Sequence, residues 1–174
     1  VRVVGNLKAA AQPLPADPEV LAMLAQRFGE RPLWLAASLR EGEASLVAAV
    51  HRRLAQRTPG LLAIVVPRHP GRTGAIEEVT GRAGLVSVRR STGALPDAAT
   101  DVYLADTLGE MGLFYRLAPV VFVGGSLVPA GGHNPIEPAH FDCAIVHGSG
   151  MAKNRDLADM LIDAGAAVEA DTTE

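Results

Sequence analysis

Two rhythms alternate along the chain. The runs "PLWLAASL" at 32–39, "LLAIVV" at 61–66 and "VVFVGG" at 120–125 are short and almost continuously apolar, as strands buried on both faces are. Between them, apolar residues recur every three or four positions, as on one face of a helix. "EASLVAAVHRRLAQR" (43–57) puts Leu46, Val47, Val50 and Leu54 on such a face, and "GAIEEVTGRAG" (74–84) is a weaker example. "TLGEMGLFYRLA" (107–118) carries a core stripe of Leu108, Met111, Tyr115 and Ala118. "LVSVRR" (85–90), "DVYLAD" (101–106), "AIVHG" (144–148) and "AAVEA" (166–170) continue the strand series, with one more helix over about 154–164.

Buried strands separated by helices predict a parallel sheet covered on both faces: an open, doubly wound, Rossmann-like α/β fold. "VRVVGNLKAAAQPLPADP" reads as a short strand and a Pro/Ala-rich linker. The expected organisation is therefore 1–18 as interdomain linker and first strand, and 19–174 as one ligand-binding domain. That domain ends at "EADTTE", before a closing helix, like a piece of a larger enzyme.

A parallel topology also predicts where chemistry gathers, because ligands of such sheets bind outside the carboxyl ends of the strands. The unusual polar segments fall at those ends: "SLREGE" (38–43), "PRHP" (67–70), "DTLGE" (106–110), and "GGS" (124–126) followed by "GGHNPIEP" (131–138). They converge on a single rim. Four glycines within 124–132 imply backbone that a ligand approaches closely. Ser38-x-x-Glu41, Thr107-x-x-Glu110 and Asn134-x-x-Glu137 share the capping-box spacing, with Pro135 at a first helical position. Glu110 and Glu137 then either bond back to their caps or, in the case of Glu137, accept the hydroxyls of a ribose. The helix starts attract anions, and Arg68 offers a fork of donors to a phosphate or carboxylate. Gly109, Gly125 and their neighbours would let the ligand reach backbone amides.

Composition narrows the choice. A net charge of −3 and an aromatic content of 4% argue against a nucleic-acid surface, so no nucleic-acid partner is expected. The single cysteine, Cys143, excludes an internal disulfide and reads as a small buried residue at a strand start. No apolar run is long enough to span a bilayer, so this stretch is expected to be soluble. Ser126 lacks the Gly-x-Ser-x-Gly elbow, and no Gly-x-Gly-x-x-Gly follows the first strand. The histidines and Cys143 match no metal-ligand spacing, so no metal or cofactor is expected; His69 and His133 are assigned as hydrogen-bond donors at the cleft or as loop caps.

Read in order, "GNLK", "SLREGE", "PRHP" and "VYLADTLGEMGLFYRLAPVVFVGGSLVPAGGHNPIEPA" resemble the C-terminal domain of bacterial 3-deoxy-D-manno-octulosonic acid (Kdo) transferases, from about residue 3 to about residue 165. The resemblance implies the C-terminal half of a GT-B glycosyltransferase, a domain that holds the donor CMP-Kdo. It implies CMP contacts from Pro67 and Arg68, from Leu108, Gly109 and Glu110, and from Asn134, Pro135, Ile136 and Glu137, with Gly125 and Ser126 lining the phosphate side. It further implies inverting, metal-independent transfer to the lipid A precursor in lipopolysaccharide synthesis. The general base and the membrane contact, at the cytoplasmic face of the inner membrane, would come from an N-terminal half absent here. The fragment alone would be inactive. Leu39-Arg40 stand where the family commonly has Thr-His, Ala130 where histidine is usual, and Ser149-Gly150 where Pro-His is typical. From the residues alone, a UDP-sugar transferase or epimerase domain and an interaction domain without a small-molecule site stay open.

Overall fold

The structure is a computed structural model and describes residues 12–170. The strand expected near the start of the chain lies outside the described residues. Strand β1 (Leu33–Leu39) pairs in parallel with β2 (Leu62–Pro67) on one side and with β5 (Val120–Val123) on the other. Beyond β2 the sheet continues through β4 (Val102–Leu104) to β3 (Ser87–Arg89). Beyond β5 it continues through β6 (Ala144–His147) to β7 (Ala167–Glu169). The order is thus β3-β4-β2-β1-β5-β6-β7, every ladder parallel, as the alternating pattern predicts. Because the chain leaves β4 on one flank and re-enters at β5 on the other, the switch point lies between β1 and β5.

Period-two alternation along the strands builds two core layers. Leu35 and Ala37 of β1, with Leu62 and Ile64 of β2, pack under α1 (Pro18–Phe28) and α4 (Met111–Leu117). Trp34 and Ala36, with Ala63 and Val65, face α2 (Ala44–Arg57) and α3 (Thr73–Arg82). A third layer joins Val123 and Ile145 to α5 (Ile136–Ala139) and α6 (Arg155–Asp163).

Several expectations need correction. Helix α1, directly after the Pro/Ala-rich segment, is not among the expected elements. It begins on Asp17, whose Oδ1 accepts from the amides of Glu19 and Val20 at 2.9 and 3.2 Å, with Pro18 in the first turn, and it buries Leu24 and Phe28. On α2 the buried face is Ala44, Val47, Ala48 and His51, and Leu54 is exposed. Small residues let that helix approach the sheet closely, and the His51 ring accepts from Trp34 Nε1 at 3.1 Å. Helix α4 starts at Met111 rather than Thr107, because Gly109 adopts φ +82°. Leu108 consequently leaves the predicted core stripe and is 82% exposed, while Tyr115 and Ala118 are buried as expected. Cys143 is only half-buried, its thiol raised by burial and by Asp142.

Gly124 is where close approach decides the fold around the site. A Cβ there would sit 2.7 Å from the carbonyl oxygens of both Ala37 and Ser38. Ser38 itself has φ +54°, in a register shift that ends the regular pairing of β1 with β2. The strained end of β1 and the exit of β5 therefore press backbone to backbone at the switch point.

Candidate functional site

All strand exits lie on one rim, and ladder-like bonds extend past the strands to hold them there. Arg68 N donates to Leu39 O at 2.9 Å, Ala105 N to Val65 O at 2.8 Å, and Gly124 N to Ala37 O at 2.8 Å. The expected single hollow is, however, two concavities. The first, of about 250 Å³, is lined by Arg40, Glu41, Arg68, His69 and Arg72 above Leu39 and Ile76. The second, of about 660 Å³, lies further along the rim among Met23, Arg90, Ser91, Tyr103, Leu108 and Glu110. Arg68 thus borders one concavity, and Leu108 and Glu110 the other. Pro67 is buried behind Arg68, and Gly109 is exposed beside Leu108.

Electrostatics differ between the two. In the second concavity Arg90 forms a two-pronged ion pair with Glu110, which also accepts from Thr107 Oγ1. The Arg90 hydrogen bond holds the Glu110 carboxyl below its usual range against the opposing effect of burial, and Thr107 adds to the lowering. Arg90 also donates to Tyr103 Oη at 3.1 Å, and burial pushes that phenol up. Thr107 therefore serves the Glu110 side chain rather than a helix amide, so this is not the predicted capping box. In the first concavity only Arg72 has an ionic partner, Glu41 at 3.1 Å. Arg40 and Arg68 form no ion pair among the described residues, and Arg40 Nε is buried without a hydrogen-bond partner.

The glycine-rich loop after β5 is organised by a residue that the sequence reading did not single out. Glu43 is fully buried. Its Oε1 accepts from the amides of Ser126 and Leu127 at 3.1 and 3.0 Å, and its Oε2 from those of Gly125 and Arg40 at 2.7 and 3.0 Å. The amides of Gly125 and Ser126, expected to meet a phosphate, are thus already engaged by a carboxylate of the chain itself. Ser126 Oγ donates to Val123 O at 2.5 Å and accepts from Gly148 N at 2.8 Å, which leaves Ser126 a buried tie between loops. The capping spacing that matters before α2 is Arg40-x-x-Glu43, not Ser38-x-x-Glu41. That spacing is visible in "SLREGE" and is the signal that could have found Glu43.

Around α5, Asn134 Oδ1 accepts from Ile136 N at 3.2 Å, and its amide lies 3.4 Å from Glu137 Oε1. Pro135 is the residue before the helix rather than its first position, and the helix is a single turn, too short for a strong dipole. Ile136 is buried in the third layer while Asn134 and Glu137 stay half-open. His133 Nε2 is buried and has no hydrogen-bond partner among the described residues. Burial lowers this imidazole, and the positive charges of Arg68 and Arg40 lower it further, so it presents a neutral ring to the cationic rim. No cluster of metal-ligating side chains occurs among the described residues, and no helix among them is long and apolar enough to cross a membrane.

Fold and rim together define a doubly wound parallel domain with a concavity at the exits of β1 and β2 bordered by Arg40, Arg68 and Arg72, the class of Rossmann-like domain that receives ligands at its strand ends. No family model matches the chain. It is 38% identical over 144 residues to the 3-deoxy-D-manno-octulosonic acid transferase of Haemophilus influenzae, covering 83% of this chain and 34% of that protein. It is 33% identical over 166 residues to the transferase of the same name from Rickettsia bellii, covering 95% and 40%. Among solved structures it superposes on the C-terminal CMP-Kdo binding domain of WaaA from Acinetobacter baumannii with a TM-score of 0.83 and 35% identity, covering 89% of this chain and 82% of that one. The chain belongs to the 3-deoxy-D-manno-octulosonic acid transferase family and matches its C-terminal domain. It spans about a third to two fifths of the length of the curated relatives it matches (34% and 40%).

Proposed function

We propose that this chain is the donor-binding domain of a Kdo transferase, holding CMP-Kdo while the sugar passes to a lipid A precursor at the cytoplasmic face of the inner membrane. The acceptor, the membrane contact and the general base belong to parts of the enzyme beyond this chain. The observation that carries the reading is Arg68, a guanidinium without an ionic partner among the described residues, at the exit of β2 next to β1 in a domain with this likeness.

In this reading Arg68, held by Pro67, grips the nucleotide phosphate through paired donors. Glu137 accepts the ribose hydroxyls, with Asn134, Pro135 and Ile136 shaping the approach. Leu108 and Gly109 offer an exposed apolar face and open backbone to the base. Glu110 supports them while its carboxylate stays with Arg90. Gly125 and Ser126 act through the loop they form rather than through their amides.

The test is a titration of the isotope-labelled chain with CMP and with UMP, followed by amide NMR shifts. CMP is expected to move Gly109 and the residues flanking Arg68, and to bind more tightly than UMP. Arg68→Ala is expected to lower affinity about tenfold or more while leaving the unperturbed spectrum folded. A preference for UMP would favour a UDP-sugar enzyme, and no binding of either would favour an interaction domain.

A further inference from the structure

We propose that Arg40 and the concavity beside it form a second anion subsite, which takes the carboxylate of the transferred sugar acid while Arg68 takes the phosphate. The inference rests on the donor-binding reading and adds to it the residue that distinguishes an acidic sugar from a neutral one.

Register brings the two arginines together. Leu39 and Pro67 are Cα partners at the ends of β1 and β2, so Arg40 and Arg68 are the first residues past neighbouring strand ends. The bond from Arg68 N to Leu39 O clamps the two exits. Both residues line the same concavity of about 250 Å³. Two cations at one concavity favour an anion there.

The nearby carboxylates do not supply that anion. Glu41 pairs with Arg72, and both oxygens of Glu43 are engaged by backbone amides. His133, which senses both arginines, is held neutral and adds no negative charge. Arg40 Nε is left buried and unpartnered, a donor whose desolvation has no compensation within the described residues. A merely solvated arginine would not bury that atom.

The chemistry of the donor matches this spacing. In a ulosonic acid the carboxylate is attached to the anomeric carbon. In its CMP derivative the phosphodiester oxygen is attached to that same carbon. Two anions on one carbon centre therefore face two cations on adjacent strands. A neutral aldose nucleotide would satisfy only one of them.

Three probes separate the roles in calorimetric titrations of the chain: CMP, a hydrolysis-resistant phosphonate analogue of CMP-Kdo, and the methyl ester of that analogue at the sugar carboxylate. The parent is expected to bind the acid about tenfold more tightly than the ester. Arg40→Gln is expected to keep CMP affinity within about twofold and to abolish the preference for acid over ester. Arg68→Gln weakens all three probes. Arg40→Lys, which keeps charge without the fork, retains part of the preference and preserves the test if Gln disturbs the turn. The proposal is overturned if Arg40→Gln keeps the acid-over-ester ratio, or weakens CMP as much as the acid. It is also overturned if the parent binds CMP without any such ratio, which leaves the nucleotide reading standing. A parent that fails to bind CMP at all removes that reading and this one together.

Discussion

Glu43 illustrates how much one side chain can decide. Its carboxylate is buried away from water, and four backbone amides from both sides of the switch point compensate it. Glu43→Gln keeps the shape but turns a donor toward amides that also donate, leaving at least one of them unmatched. Stability is expected to fall by about 2–3 kcal/mol, read as a lower urea midpoint at unchanged slope. An unchanged midpoint would show that these bonds do not hold the loop. The same rule separates the two glutamates that share a capping-box spacing. Glu110 has a two-pronged arginine partner, whereas the Glu137 carboxylate has, among the described residues, only the Asn134 amide at 3.4 Å.

Among the elements, α4 shows packing overruling propensity. Gly112 lies inside this helix, where alanine would be favoured by up to about 1 kcal/mol. A Cβ at that position would meet the Leu14 carbonyl oxygen at 2.6 Å and press still closer on that of Pro15. Arg116 binds the same strap, its Nη1 donating to Leu14 O at 2.8 Å while its guanidinium lies over the Phe141 ring. Because the obstacle is backbone, the clash outweighs the propensity gain. Gly112→Ala is expected to cost about 1–2 kcal/mol and to lower the melting temperature by several degrees. A more stable variant would mean that the strap is loosely held. Strands β1, β2 and β5 were legible because a doubly buried strand leaves an unmistakable apolar run. Helix α1 was not, because "PEVLAMLAQRF" has its apolar stripe embedded in alanine next to a Pro/Ala-rich segment. The buried face of α2 was only partly legible: Val47 is buried as expected, but Ala44, Ala48 and His51 join it rather than Leu54, because small residues sit where a helix packs tightly on a sheet.

On the donor-binding reading, the domain would be one wall of a cleft. Its cations and loops meet at one rim, yet transfer needs an acceptor hydroxyl and a base held opposite the donor. Incubated with CMP-Kdo and lipid A precursor, this chain is expected to bind the donor and to form no product detectable by mass spectrometry. Product formation would show that the base lies within these residues. The sequence by itself determined the parallel doubly wound sheet and the gathering of four motifs at the strand ends, because periodicity and burial are written in windows of a few residues. It also set Arg68 at a strand exit. Only the tertiary structure decided which charges are already engaged: Glu43 with amides more than eighty positions away, Glu110 with Arg90, and Arg40 with no ion-pair partner among the described residues. Those partners are chosen by strand order and by the approach of backbones at Gly124, and neither is encoded in the local pattern around the residues they join.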